Sequence, residues 1–158
     1  MIINEEEKLK KFIKDNNINA EHIRYEKCLH TVSDLLEVTG FDLELITKTM
    51  IFKGEKGKTI AVMIPAKFRV STTRLGEVLG TKPPEMANPN EAYKRTGYPV
   101  GGMLCFGYDA IVIIDPKVLE KEYVYTGGGS EFSIVKISSA ELKKLNPIIQ
   151  RISGKKSN

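Results

Sequence analysis

The stretch "GYPVGGMLCFG", residues 97–107, gathers four glycines, a proline and one cysteine, and Lys48 lies upstream in "ITKTMIF". Those residue types offer three chemistries. The first is a phosphate cradle, but both glycine-rich nucleotide loops need a strand before the glycines and a helix after them. Here the expected order is helix, loop, strand, and no Lys-Ser/Thr pair follows, so a nucleotide loop is excluded. The second is a cysteine nucleophile. Cys105 would need a base, and the two histidines, His22 and His30, both lie in the N-terminal segment outside any recognisable motif. An unreactive Cys105 is the commoner outcome, because free cysteine is often just a small buried hydrophobe. The third is a site built from backbone. Gly97, Gly101 and Gly102 permit conformations in which successive N–H groups point into one concavity, able to hold the developing oxyanion of an ester. The same glycines also suit a plain tight turn, and spacing alone leaves those two open. Lys48 carries a similar pair of readings: a surface lysine, or one at a cleft edge that binds a phosphate or a carbonyl.

The elements that position these residues follow from local patterns. "NEEEKLKKFIKDNN" predicts a helix, with Asn4 and Glu7 in a capping pattern and Leu9, Phe12 and Ile13 on one face. "TVSDLLEVTG" has the same grammar, from Thr31 as cap to Gly40 as stop. "DLELIT" reads as a short helical turn leading into strands at 48–53 and 59–64, joined through "GEKG" as a hairpin. "FRV" adds a short strand and "STTRLGEVLG" a helix, while "TKPPEMA" reads as loop. Asn88, Pro89 and Glu91 start a helix that ends at Gly97, directly before the glycine stretch. "AIVIID" predicts a central strand, "EYVYT" and "FSIVKI" two more, and "SSAELKKL" a last helix stopped by Pro147. The links look too short for regular parallel crossovers, so a mixed α/β fold of largely hairpin-connected strands is expected.

Composition bounds the rest. With 158 residues, 41% apolar and 28% charged, the chain suits one globular domain, residues 1–150, followed by a basic, frayed tail at 151–158. No apolar run approaches the ~20 residues of a membrane span, and "MIINEEEKLKK" is no secretory signal. Cys28 and Cys105 have no metal-motif spacing, and as reduced thiols they fit a cytoplasmic protein, although a disulfide between them stays open. A net charge of +4 is compatible with a polyanionic partner but does not by itself require one.

Several blocks, in order and in register from about Thr31 to about Leu145, resemble a known family. "ITKTMIF" is similar to its "IvKTLvf" signature, "MANPNEAYKRTGYPVGG" to its "TGy.vGG" block, and "GGMLCFG" to its "GGxxPxG" loop. "FRVSTTRL", "VIID" and the glycines near residue 128 align with further blocks. The sequence thus resembles the YbaK/prolyl-tRNA synthetase-associated domain family, freestanding homologues of a synthetase editing domain. The resemblance implies a compact mixed α/β (α+β) domain with a central, mainly antiparallel, barrel-like sheet flanked by helices. It implies hydrolysis of the aminoacyl ester on mischarged tRNA, typically prolyl-tRNA carrying alanine or cysteine, with no metal or organic cofactor. By position, Lys48 matches the family's functional lysine, which fixes the substrate's 3′ end. Gly101 and Gly102 begin the loop whose amides face the aminoacyl carbonyl, with Thr96, Gly97, Tyr98, Cys105 and Phe106 as pocket or loop-support residues. The implied partners are the acceptor end of aminoacyl-tRNA and an aminoacyl-tRNA synthetase, with neither membrane nor DNA among them.

An aminoacyl ester is already activated, so positioning and oxyanion stabilisation can suffice without a side-chain triad, which suits a chain so poor in histidine. Cys105 stands where the family loop usually has proline, and proline there would stiffen the loop. Two rival readings follow: a module of the same fold that binds tRNA or a synthetase without turnover, and a hydrolase that depends on Cys105.

Overall fold

The structure, a computed structural model, describes residues 4–157. Its helices begin where a short polar side chain takes up an otherwise unpaired amide. In α1 (Glu5–Asp15) the Asn4 side chain accepts from the Glu7 amide at 2.9 Å, and Glu5, Glu6 and Glu7 occupy the positive end of the helix. Thr31 caps α2 (Val32–Thr39) and Ser71 caps α3 (Thr72–Leu79). At α4 (Pro89–Thr96), Asn88 and Glu91 cap each other's backbone, and Gly97 closes the helix at φ +80°. Ser138 caps α5 (Ser139–Lys143).

The strands are β1 (Ala20–Arg24), β2 (Thr47–Lys53), β3 (Thr59–Pro65), β4 (Phe68–Val70), β5 (Glu85–Met86), β6 (Ile111–Ile114), β7 (Tyr123–Gly127), β8 (Ser133–Ser138), β9 (Ile148–Ile149) and β10 (Ser153–Lys156). Among the described residues they form three sheets, in the orders β1-β8-β7, β10-β4 and β5-β2-β3-β6-β9. Helices flank a sheet, as expected of a mixed α/β fold. The barrel-like, mainly antiparallel sheet is not what forms. β2 and β3 make the expected antiparallel hairpin, but β6 runs parallel to β3, and β9 parallel to β6. The five-stranded sheet ends at β5 and β9, and a single bridge, Ile46 to Tyr125, touches the three-stranded one. The reason lies in connectivity. Between β3 and β6 the chain passes through β4, α3, β5 and α4, which is ample length to return in the same direction. Short links join neighbours in sequence, and β3 and β6 are not neighbours.

The segment 151–158, expected to fray, is instead held through its described residues. Ser153–Lys156 pairs with β4, and Ile152 is fully buried. Asp115 anchors it, accepting from the Ile152 and Ser153 amides at 3.0 and 2.8 Å and from the Lys117 amide at 2.9 Å. β1, β5 and β9 are likewise strands beyond the expected set, β5 lying within the predicted "TKPPEMA" loop.

Alternation along β2 and β3 divides the core. Ile51, Ala61 and Met63 face one apolar cluster with Leu9, Tyr98 and Cys105, while Phe52, Ile60, Val62 and Ile64 face another with Leu75 and Ile152. Among the described residues no helix is long and apolar enough to cross a membrane.

Candidate functional site

A cavity of about 220 Å³ opens between β2, the start of α2 and the two glycine segments near 101 and 127. Lys48 and Gly101 both line it, together with Thr49, Thr126, Gly127 and His30. Lys48 is half-buried on β2 and paired in register with Ile64. Burial holds its ammonium below the usual lysine range, and the like charge of Arg69 adds to this. Its Nζ donates to Ser157 Oγ at 3.5 Å, and among the described residues no carboxylate pairs with it. A partly desolvated cation beside Arg69 and without a counter-carboxylate is suited to an anion supplied from outside. β10 pairs Lys156 with Phe68 of β4, which leads the chain to Ser157.

The glycines near 101 and 127 pack backbone on backbone. A Cβ on Gly102 would lie 2.2 Å from the Ser130 nitrogen, and one on Gly127 only 2.1 Å from the Met103 oxygen, so neither position tolerates a side chain. Residues Val100–Gly102 form one 3-10 turn, in which the Gly102 amide donates to Pro99 O at 3.0 Å and the Met103 amide to Val100 O at 3.3 Å. The Val100 and Gly101 amides lie ahead of the first such bond and have no backbone partner among the described residues, and both residues line the cavity. Gly102, expected to share that role, is buried with its amide committed to the turn.

The remaining predicted site residues lie behind the loop rather than in the cavity lining. Thr96 is buried at the end of α4, donating to Ala92 O at 2.8 Å and accepting from the Tyr98 amide at 3.1 Å. The Gly97 carbonyl accepts from Lys8 Nζ at 2.9 Å, and that ammonium lies 4.3 Å from the centre of the Tyr98 ring. Tyr98 is fully buried, its hydroxyl pushed up to about 12 by burial, with Glu5 contributing. Phe106 stacks on Phe12 at 6.1 Å. Cys105 is fully buried with Sγ 3.7 Å from Met63 Sδ, and burial pushes its thiol up to about 12. It is far from the thiolate a nucleophile requires. Both cysteines are free, Cys28 exposed and Cys105 buried. These positions therefore hold the loop from beneath, anchoring it to α1 and α4.

Other cavity residues carry no local signature in the sequence. Thr49 and Thr126 line it from β2 and β7. At its rim His30 Nδ1 lies 3.0 Å from Glu131 Oε1, and Glu131 packs over Gly101. Beneath the second glycine segment, Glu6 accepts from Ser130 Oγ at 2.6 Å and pairs with Arg24. Only three-dimensional placement joins the threonine after Lys48 to the "TGGG" run.

Comparison with known proteins bears on this geometry. The model of the aminoacyl-tRNA editing domain family matches residues 26–145. The uncharacterised protein YwhH of Bacillus subtilis is 27% identical over 124 residues, 77% of this chain and 78% of YwhH. A proline–tRNA ligase of Caldicellulosiruptor bescii is 27% identical over 120 residues, which are 75% of this chain but only 21% of the ligase. The crystal structure of the hypothetical protein APE2540 matches with a TM-score of 0.85 at 29% identity, over 93% of this chain and 99% of that one. A candidate trans-editing enzyme for prolyl-tRNA synthetase shares the fold at a TM-score of 0.87 and 18% identity, over 98% and 99% of the two chains. With most of its length matched by the family model and its fold shared nearly end to end, the chain belongs to the aminoacyl-tRNA editing domain family, in its YbaK/prolyl-tRNA synthetase-associated group.

Proposed function

We propose that the protein is a trans-acting aminoacyl-tRNA deacylase that hydrolyses the ester of mischarged tRNA in the cytoplasm, without a metal. The observation that carries this is the meeting of Lys48 and Gly101 in the lining of one cavity. Lys48, with Arg69 beside it, takes the anionic 3′ end of the tRNA. The Gly101 amide donates to the carbonyl oxygen as water attacks the carbonyl carbon and negative charge develops. Collapse of that intermediate breaks the ester bond, and the ribose oxygen leaves with a proton, giving free amino acid and uncharged tRNA. Gly102 supports the turn that aims the Gly101 amide.

A small cavity separates similar amino acids by only ~1–3 kcal/mol per methylene, so a dedicated editing step has a purpose wherever a synthetase confuses small side chains. Family membership points first to alanine or cysteine carried on tRNA(Pro). The test is a deacylation panel of purified protein against several mischarged tRNAs and their correctly charged counterparts. Turnover restricted to small, mischarged aminoacyl groups is expected. Tight tRNA binding with no hydrolysis across the panel would replace the enzyme by a non-catalytic tRNA- or synthetase-binding module.

A further inference from the structure

The two short strands β4 and β10 and their flanks concentrate the chain's positive charge. Residues 66–74 hold Lys67, Arg69 and Arg74, residues 150–158 hold Arg151, Lys155 and Lys156, and neither stretch holds an acid. Those six cations exceed the whole chain's net charge of +4. Among the described residues β4 and β10 pair only with each other, so folding joins the two basic stretches in one ribbon. Lys117 adds to it, its Nζ donating to Ser153 Oγ at 3.1 Å and lying 5.2 Å from the centre of the Phe68 ring.

Little negative charge answers this. Glu44 takes Lys67 at 2.7 Å, and Glu77 shares a hollow with Arg74 and Arg151 at the far end. Asp115 is fully buried and spent on the amides of Lys117, Ile152 and Ser153. Arg69, Lys155 and Lys156 are exposed, and among the described residues none of them forms an ion pair with a carboxylate. The ribbon is nonetheless firmly built. Ile152 is fully buried, and the Ser157 amide donates to Lys67 O at 2.6 Å. Lys48 Nζ reaches Ser157 Oγ, so the ribbon ends at the lysine of the cavity. The family match stops at residue 145, so β10 lies outside the span that carries the assignment.

We infer that the β4–β10 ribbon is a docking surface for the phosphate backbone of an RNA stem, which it grips while the 3′ end enters at Lys48. That the RNA is the acceptor stem of tRNA rests on the deacylase reading. From Ser157 back to Arg151 the extended chain covers roughly 20 Å, enough to follow several phosphates. No large apolar side chain is exposed on the ribbon itself, as an insertion into lipid would require. Contacts of this kind position a nucleic acid without reading its sequence, so the ribbon gives the protein its own hold on tRNA, independent of a synthetase.

The test titrates the full-length protein with two RNAs over a range of salt: a hairpin stem ending in single-stranded CCA, and the CCA-ending strand alone. The parent is expected to bind the hairpin about tenfold or more tightly than the single strand. Lys155→Gln combined with Lys156→Gln should remove most of that preference and lower the salt slope for the hairpin by about two, one per lost phosphate contact. Both side chains are exposed, so the melting temperature should stay near the parent's. Equal parental binding of the two RNAs overturns the inference, as does an unchanged preference and salt slope in the double variant. Loss of binding to anionic phospholipid vesicles in that variant, with hairpin binding intact, also overturns it and assigns the ribbon to a membrane. Deacylation of a mischarged tRNA, measured alongside, separates the two readings. Salt-dependent hairpin binding without hydrolysis sinks the deacylase and keeps the ribbon, while hydrolysis with the KM for tRNA unchanged in the double variant does the reverse.

Discussion

The Gly102 carbonyl accepts the Gly129 amide at 2.9 Å, and this bond joins the protein's two glycine segments back to back. Each segment lines the cavity, one through Gly101 and the other through Gly127. Gly102→Ala would push a methyl against backbone atoms of Gly129 and Ser130, which cannot swing aside. A loss of about 3 kcal/mol is expected, read as a fall in melting temperature of roughly 6–12 °C. Gly101→Ala meets only the flexible end of Glu131, at 2.7 Å from its Cγ. It should melt within a few degrees of the parent while losing activity. Thermal melts of the two variants side by side distinguish these roles.

Asp115 fastens the C-terminal strand. Burial opposes its charge, yet the amides of Lys117, Ile152 and Ser153 outweigh burial and hold the carboxyl below the usual range. A depressed folded pKa contributes stability that is fully present above the unfolded carboxylate value, near 3.9, and is lost as pH falls through the lower folded value. Asp115→Ala should therefore cost about 2–4 kcal/mol at neutral pH. It should also expose the end of the chain, from Ile152 on, to proteolysis and flatten the acid limb of the stability profile. Urea melts from pH 7 down to pH 2.5 read this directly.

How much of this was legible in the sequence depended on distance along the chain. Asn88 and Glu91 lie three residues apart, so the start of α4 could be read from the text. The two-residue strands β5 and β9 have no period to detect. The parallel pairing of β3 with β6 and the hold of Asp115 on Ile152, 37 residues away, depend on tertiary packing. Family resemblance pointed to Lys48 and the glycine loop, and the structure puts Lys48 and Gly101 in the lining of one cavity, with the Gly102 amide bonded to Pro99 O. The pairing of His30 with Glu131, 101 residues apart, had no local trace.

Lys48 should give activity an alkaline limit. Burial, with Arg69 adding, lowers its pKa, so it loses its charge at a lower pH than a surface lysine does. If that charge holds the tRNA end, KM rises as pH climbs through the depressed value. Lys48→Arg, which stays protonated throughout, should move that limb to higher pH. A limb that does not move with this substitution assigns it to another group.

Cys105 should be chemically silent. In the native protein at pH 8, a thiol reagent should modify the exposed Cys28 and spare Cys105, whose buried thiol is pushed up to about 12. Cys105→Ser should keep deacylation while costing about 1–3 kcal/mol, because the new hydroxyl would be buried among apolar neighbours. Mass spectrometry of the labelled protein and a denaturant melt check the two halves.

The central claim is that the cavity shared by Lys48 and Gly101 is where the ester is cleaved. The most direct measurement is single-turnover deacylation of a mischarged tRNA by the parent protein, Lys48→Ala and Cys105→Ser, with folding verified by circular dichroism. The account predicts a loss of about a hundredfold or more for Lys48→Ala, the scale of a misplaced substrate, and a near-parental rate for Cys105→Ser. An undiminished rate in folded Lys48→Ala, or a collapse in Cys105→Ser, would contradict it.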